Sequence, residues 1–174
     1  MSKSKMDNIF TRSSRNPILK PNPKNNWETL KVYNPGAFYD NGIYHLFYRA
    51  RGKSGTSTIG YAISKDGEKF QRFNEPLILS ETNSYSIEDP RISKVENKYF
   101  LTHTFYNGID VTLNLATSRD LKLWEKQGEM LVDWDLYKAD GFLIKWDPAQ
   151  VEAEKNPIAR VKWSKAGAIF PELI

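Results

Sequence analysis

A repeat of about 55 residues is the feature that most constrains how this chain can fold. Asp89-Pro90-Arg91-Ile92 matches Asn34-Pro35-Gly36-Ala37 at an offset of 55, and Tyr99 matches Tyr44 at the same offset. Further matches occur at an offset of 54, where Ala116, Ser118, Asp120 and Trp124 correspond to Ala62, Ser64, Asp66 and Phe70. One residue deleted in a loop accounts for the change of offset. The two segments therefore are expected to be two copies of one structural unit.

Each copy has the pattern of four short strands joined by tight turns. In the first copy we predict strands over 34–39, 43–51, 56–64 and 70–73. Asp40-Asn41-Gly42 indicates a type I′ hairpin turn, because Asn and Gly tolerate the positive φ that this turn needs. The repeated Ala-x-Ser-x-Asp element is interpreted as a structural turn without chemistry. Sheets of four strands repeating at this period are typical of β-propeller blades, so we predict an all-β fold.

The domain prediction follows from this repeat. Residues 1–15 are expected to form a flexible leader and residues 16–174 a partial propeller. Blade one covers about 34–80 and blade two about 89–133, a linker with a short helix covers about 134–160, and the start of a third blade covers 161–174. A propeller needs at least four blades to close, so two blades and part of a third are an incomplete ring. Exposed sheet faces and edges then predict self-association or a second chain that completes the propeller.

Composition excludes several kinds of site. The chain has no cysteine and two histidines, so we expect no disulfide, no thiolate site and no metal site. Its net charge of +4 is spread along the chain, and we expect no nucleic-acid partner. No run is apolar and long enough for a signal peptide or a membrane span, which predicts a cytoplasmic protein that is not bound to a membrane.

Ser86-Ile87-Glu88-Asp89-Pro90-Arg91 is the strongest candidate for chemistry. Cleaving a glycosidic bond needs a carboxylic acid to protonate the leaving oxygen. Asp89 is expected to open the innermost strand of blade two and to face the central channel, with Asn34 as its neutral counterpart in blade one. Taken alone, the stretch fits a turn leading into a strand, with Arg91 neutralising Glu88, and the repeat is what raises it above that interpretation.

Two arginines stand in the otherwise apolar and aromatic run 46–51. Alternation along a strand places Arg49 and Arg51 on one face, where burial is costly unless acids or an anionic ligand oppose them. They either pair with Glu88, Asp89 or surface acids, or bind a ligand. His45 and His103 are expected in the core or the channel wall.

Several short segments, in order along nearly the whole chain, are similar to those of one known family. They are Asn16-Pro17-Ile18-Leu19, Asn34-Pro35-Gly36-Ala37, Tyr48-Arg49-Ala50, residues 59–67, Glu88-Asp89-Pro90-Arg91-Ile92, residues 115–120 and Gly167-Ala168-Ile169-Phe170-Pro171-Glu172. Together they resemble glycoside hydrolase family 130, the β-mannoside phosphorylases and related mannosidases.

This resemblance implies a five-bladed propeller that cleaves β-mannosidic bonds of an oligosaccharide by inverting phosphorolysis. Asp89 matches the family's general acid, which acts through a hydroxyl of the bound mannosyl unit. Inorganic phosphate is the attacking co-substrate, and no other cofactor is implied. Arg49 matches an arginine of the sugar pocket, and Lys165 stands where the family often has a phosphate-binding lysine. We predict that Asn34, Arg49, Arg51, Glu88 and Arg91 bind substrate.

The resemblance leaves alternatives. Thr112 stands about where many phosphorylases of the family have an arginine of the phosphate site, and members that lack the basic set hydrolyse their substrate. A β-mannoside hydrolase therefore stays open, as does a non-catalytic sugar-binding fragment. A propeller that cleaves arabinan or fructan is disfavoured, because those families normally have an aspartate where this chain has Asn34.

Overall fold

The computed structural model describes residues 11–78, 84–130 and 167–169. Within these residues the protein consists of β-strands and one short 3-10 turn, Asn26–Glu28. The strands are β1 (Lys31–Asp40), β2 (Ile43–Arg51), β3 (Ser57–Ser64), β4 (Gln71–Arg72), β5 (Ser86–Val95), β6 (Lys98–Tyr106), β7 (Val111–Ser118) and β8 (Glu125–Glu129). In this part of the chain, no helix is long and apolar enough to cross a membrane.

The strands form two antiparallel sheets with the same topology. Blade one has the order β1-β2-β3-β4 and blade two the order β5-β6-β7-β8. The predicted pair of four-stranded modules and the all-β class are thereby confirmed. Asn41 and Gly42 have φ of 49° and 79°, as a type I′ turn between β1 and β2 requires. The fourth strand of blade one is shorter than predicted, covering only Gln71–Arg72.

The first strand of each blade has a bulge at the same place. The register of β1 shifts between Tyr33 and Gly36, and that of β5 shifts between Glu88 and Arg91. The bulged residues Asn34 and Asp89 have φ of 46° and 50°. Asp89 was expected to open its strand, but β5 already begins at Ser86. The bulge extends the strand because Ser86, Ile87 and Glu88 pair with β6 before the register shifts.

The two blades pack face to face through a shared apolar core. Phe47 and Ile59 of blade one and Leu101 of blade two are completely buried in it. The two bulged strands approach so closely that a Cβ at Gly36 would lie 2.7 Å from the Pro90 carbonyl oxygen. Only glycine fits there, so the bulge of blade two is fixed directly against blade one.

At the hairpin end of β1, a polar contact also joins the blades. The Asp40 carboxylate accepts hydrogen bonds from Lys94 Nζ at 2.9 Å and from the Tyr99 hydroxyl at 2.6 Å. These contacts lower the pKa of Asp40, chiefly through the Tyr99 and Lys94 hydrogen bonds. We call this group the Asp40 latch.

The segment before β1 is anchored to the outer face of blade one. Glu28 is fully buried, accepts a hydrogen bond from the Tyr48 hydroxyl at 2.9 Å and pairs with Arg72 at 2.8 Å. Trp27 stacks on Tyr48 and donates its indole N–H to the Asn74 carbonyl. Of the predicted leader, residues 1–10 lie outside the described residues, while Arg15 pairs with Glu68 at 2.9 Å on the surface.

The short stretch Gly167–Ile169 lies against the other face of blade two. Thr102 Oγ1 donates to the Gly167 carbonyl and Ser93 Oγ to the Ile169 carbonyl, each at 2.5 Å. The predicted linker with its short helix, and the rest of the predicted third blade, lie outside the described residues.

Candidate active site

Asp89 lies at the bulge of β5 with its side chain largely withdrawn from solvent. Its residue exposure is 7%, the same as that of Glu88 beside it. A positive φ is rare for a residue with a side chain and persists only when the surroundings enforce it. Here the pairing of β5 on either side of the bulge and the close approach of blade one enforce it.

The equivalent residue of blade one binds Asp89 directly. Asn34 Nδ2 donates a hydrogen bond of 2.7 Å to Asp89 Oδ1 across the blade interface. Both residues have the same positive φ, so the two bulges point their side chains toward each other. The predicted correspondence between Asn34 and Asp89 is thus a physical contact, and Asn34 supplies a neutral donor to the carboxylate.

Arg49 connects the two acids to blade one. Its Nη2 pairs with Glu88 Oε1, its Nη1 lies 3.4 Å from Asp89 Oδ1, and its Nε donates to Ser57 Oγ at 2.9 Å. The guanidinium also packs over the ring of Tyr33, 4.8 Å from the ring centre. Of the two interpretations of Arg49, pairing with Glu88 and Asp89 is therefore the one that the structure supports. A buried charge is tolerated there because opposite charges and hydrogen bonds surround it.

Two other predicted site residues, Arg91 and Arg51, do not join this cluster. Arg91 follows the bulge and donates from Nη1 to the Pro90 carbonyl at 2.8 Å. Arg51 is partly exposed at the end of β2, and within the described residues its guanidinium has no hydrogen-bond or ion-pair partner. Lys165 lies outside the described residues. The structure thus groups Asn34, Arg49, Glu88 and Asp89.

Sequence reasoning missed two members of this cluster. Tyr33, which covers Arg49, stands at the position of Glu88 in the repeat, and the offset of 55 could have indicated it. Ser57 binds Arg49, and its backbone N–H donates to Ser86 Oγ at 3.0 Å. Nothing in the local sequence distinguishes Ser57 from its serine and threonine neighbours.

Both histidines lie in the sheets, as expected. His45 Nδ1 is 2.6 Å from the Tyr61 hydroxyl, and His103 is buried beside the bulge of β5. Desolvation lowers the pKa of His103 to about 4, so the ring is neutral near pH 7. Among residues 11–78, 84–130 and 167–169, no three His, Asp or Glu side chains form a group that could hold a metal ion.

Thr112 has a structural role in blade two. It is buried, and its hydroxyl accepts a hydrogen bond from Asn114 Nδ2 at 2.8 Å. A neutral side chain used in this way contributes no positive charge to an anion site.

A comparison with known protein families agrees with this arrangement. A family model for glycoside hydrolase family 130, described as beta-1,4-mannooligosaccharide phosphorylase, matches residues 3–172. The chain belongs to glycoside hydrolase family 130. The resemblance inferred from the short segments is thereby confirmed, and the two sheets are consistent with a partial β-propeller.

Curated relatives and a solved structure place the chain more closely within family 130. A 1,2-beta-oligomannan phosphorylase of Thermoanaerobacter sp. (strain X514) is 40% identical over 132 residues, which are 69% of this chain and 45% of that protein. A beta-1,2-mannobiose phosphorylase of the same strain is 36% identical over 134 residues, 67% of this chain and 44% of that protein.

The solved structure was presented with the finding that this family of mannoside phosphorylases contains glycoside hydrolases targeting beta-1,2 mannosidic linkages in Candida mannan. It has a TM-score of 0.62 and 32% identity over 68% of this chain and 40% of that chain. The chain therefore spans less than half the length of these family 130 proteins.

Proposed function

We propose that this chain carries the acid-bearing part of an enzyme that cleaves β-mannosidic bonds by inverting phosphorolysis. The observation that supports this most is the buried Asp89, held at positive φ in a bulge by a 2.7 Å hydrogen bond from Asn34 and by Arg49. A general acid must be held in place within hydrogen-bond reach of the group that it protonates. The backbone strain at Asp89 is of the kind that occurs at functional sites.

In this proposal Asp89 delivers a proton to the leaving oxygen through a hydroxyl of the bound mannosyl unit. Inorganic phosphate attacks the anomeric carbon from the opposite face, so the configuration inverts. Phosphate is already a nucleophile, and no second carboxylate is needed as a base. Glu88 and Arg49 hold the acid, Arg51 and Arg91 remain candidates for substrate contacts, and Lys165 is a candidate phosphate ligand.

The substrate class is proposed from the relatives. Two of them are named for β-1,2-linked mannosides, and the family description names β-1,4-linked ones. At 40% identity the β-1,2-linked compounds are the first to test.

Hydrolysis is the second candidate, and Thr112 is the observation that favours it. The hydroxyl of Thr112 is bound within blade two and brings no charge for phosphate. The charge of Arg49 is likewise opposed by Glu88 and Asp89. A site with too little positive charge would use water as the nucleophile.

We further propose that a complete ring is needed for turnover, supplied by more chain, by self-association or by a second chain. Support comes from the span of the chain, which is 45% of the length of its 1,2-beta-oligomannan phosphorylase relative. Light scattering coupled to gel filtration would measure whether the purified chain forms assemblies. A strictly monomeric chain that still turns over substrate would contradict this requirement.

The test of the reaction is a product assay with and without phosphate. The purified chain is offered β-1,2-mannobiose and β-1,4-mannobiose, and Asp89→Asn is compared with Asp120→Asn, whose carboxylate lies in an exposed turn. We expect mannose 1-phosphate only when phosphate is present, a loss of about a hundredfold or more in Asp89→Asn, and full activity in Asp120→Asn.

Each other outcome decides against part of the proposal. Free mannose formed at the same rate without phosphate would identify a hydrolase. Full activity of Asp89→Asn would remove Asp89 from the acid role. If no product forms under any condition, the chain alone is not catalytic, and the missing part of the ring must come from more chain or from a second chain.

A further inference from the structure

A cavity of about 440 Å³ lies along blade two, and its lining includes none of Asn34, Arg49, Glu88 and Asp89. Leu101, His103 and Phe105 are spaced two residues apart along β6, so their side chains lie on the same face of the sheet. This face packs toward blade one. The cavity extends from the start of β5 across β6 and β7 to β8. Its lining includes Tyr85, Ile87, His103, Phe105, Asn114 and Gln127.

The same position in blade one has a larger side chain, and the cavity beside it is smaller, about 280 Å³. Tyr48 corresponds to His103 and pairs in register with Gly60, which corresponds to Asn114. The ring of Tyr48 covers Gly60 so closely that a Cβ there would lie 2.4 Å from it, and the hydroxyl donates to buried Glu28. Blade two replaces this tyrosine–glycine pair with a smaller ring and a polar side chain, and a larger cavity results.

The imidazole of His103 is a buried polar group in the lining of the cavity. His103 is only 5% exposed, and within the described residues its Nδ1 has no hydrogen-bond partner. A buried polar atom without a partner is costly, and native proteins usually satisfy it with a partner or a bound molecule. Burial keeps the ring uncharged near pH 7, so the atom can exchange a hydrogen bond with a neutral group.

The remaining walls combine aromatic and apolar side chains with two amides and the cationic side chain of Lys126. Tyr85 and Phe105 form an edge-to-face pair with ring centres 5.4 Å apart, and Ile87 is buried beside them. Asn114 and Gln127 provide amide groups on β7 and β8. Small-molecule sites usually combine such apolar walls with a few polar groups, in volumes of about 300–1,000 Å³.

We propose that the cavity beside His103 is a binding site for one neutral sugar unit, separate from the Asp89 cluster. A pyranose ring has an apolar face for Phe105 and Tyr85 and a rim of hydroxyls, one of which satisfies His103 Nδ1. The uncharged imidazole can exchange a hydrogen bond with one hydroxyl, and the ammonium group of Lys126, which also lines the cavity, can donate to another. This site does not depend on the reaction proposed for Asp89.

The test uses NMR of the histidine side chains of the full chain with Asp89→Asn, so that no turnover occurs. D-mannose and methyl β-mannoside are the probes, and His45, on the other blade, is the internal reference. We expect saturable shifts of the His103 ring nitrogens with the His45 signals unchanged. Shifts absent for both probes, or equal for the two histidines, would overturn the site.

A matched variant fills the cavity. His103→Tyr combined with Asn114→Gly gives blade two the pair that blade one already uses. We expect mannose binding measured by calorimetry to weaken about tenfold or more, while the circular dichroism spectrum is unchanged. Undiminished binding in this variant would reject the site. If the variant does not fold, the His103 shifts in the parent chain still decide. Because Asp89→Asn is present throughout, this result is independent of whether Asp89 is a catalytic acid.

Discussion

Blade one and blade two share one backbone but place different chemistry on it. Their first strands have the same bulge, with φ of 46° at Asn34 and 50° at Asp89. On this common scaffold blade two has two carboxylates, Glu88 and Asp89, where blade one has Tyr33 and Asn34. The blade-one residues serve the acids: Asn34 donates to Asp89, and Tyr33 covers the arginine that pairs with both. The two copies of the blade thus provide the acid and the residues that hold it, at equivalent positions of the repeat.

The largest expected effect comes from removing the charge that joins the blades. Arg49→Met leaves Glu88 and Asp89 buried without their cation, and we expect the free energy of unfolding to fall by about 3 kcal/mol at pH 7. Urea titration measures the loss. Arg51→Met is the matched control, with a change of about 0.5 kcal/mol or less.

Making blade one resemble blade two should break the pairing of Asn34 with Asp89. Asn34→Asp replaces the donor with another carboxylate 2.7 Å away, and we expect about 2 kcal/mol of destabilisation at pH 7. Protonating one of the two carboxylates removes the repulsion, so the destabilisation should be larger at pH 7 than in acid.

The reciprocal exchange sharpens this test. Asn34→Asp combined with Asp89→Asn restores one amide and one carboxylate, and we expect urea stability to recover to near the parent value. Activity should remain lost, because the acid now belongs to the other blade. If the double variant is as unstable as Asn34→Asp alone, the contact between positions 34 and 89 does not account for the loss of stability.

The Asp40 latch has no equivalent in blade two, where Val95 occupies the corresponding position. Asp40→Asn should reduce stability by about 1 kcal/mol at pH 7, because Lys94 loses its partner charge. The lowered pKa of Asp40 means that the latch stabilises the fold above about pH 4, and the contribution is lost as pH falls through the folded pKa. Thermal melts of both proteins should therefore converge in acid. Melts that differ equally at every pH would contradict the latch.

The last prediction concerns a turn that is the same in both blades, so the expected difference between the blades is the smallest. Ser64 Oγ accepts from the N–H groups of Asp66 and Gly67, and Ser118 Oγ from those of Asp120 and Leu121, with matching distances of 3.2 and 2.9 Å. Ser64→Ala and Ser118→Ala should each cost about 1 kcal/mol. Urea titration measures the loss in free energy of unfolding of each variant. If the two losses differ by more than about 1 kcal/mol, the turns are not equivalent.

Much of the fold could be predicted because its signals are local. The repeat offset, the Asn41-Gly42 turn and the Ser-x-Asp turns each depend on a few neighbouring residues. The bulge at Asp89 and its contact with Gly36 could not be predicted in this way, since they involve the register with β6 and the approach of another blade. The burial of Glu28 was likewise hidden, because Arg72, which pairs with it, is far away in sequence.

For the candidate site, the sequence predicted which residues belong to it better than it predicted the contacts between them. Asp89, Asn34, Arg49 and Glu88 were all identified from sequence, and they lie together. For Arg49 the sequence left pairing and ligand binding open, because burial and distance decide between them. The roles of these residues in catalysis, and the place of Lys165, stay predictions.

The two faces of blade two contact their neighbours in different ways: one uses side chains, and the other uses hydrogen bonds to the main chain. Blade one meets it through side chains, such as the edge-to-face contact of Phe38 with Tyr99. The Gly167–Ile169 stretch is held by hydroxyls of Thr102 and Ser93 that bind main-chain carbonyls. Every amino acid has a carbonyl, so these two hydrogen bonds do not depend on the side chains of the segment; Gly167 is the exception, because a Cβ there would lie 2.4 Å from Leu113 Cδ2. A segment that follows a blade and is joined to it in this way can therefore acquire new side chains while the hydrogen bonds of the junction are kept.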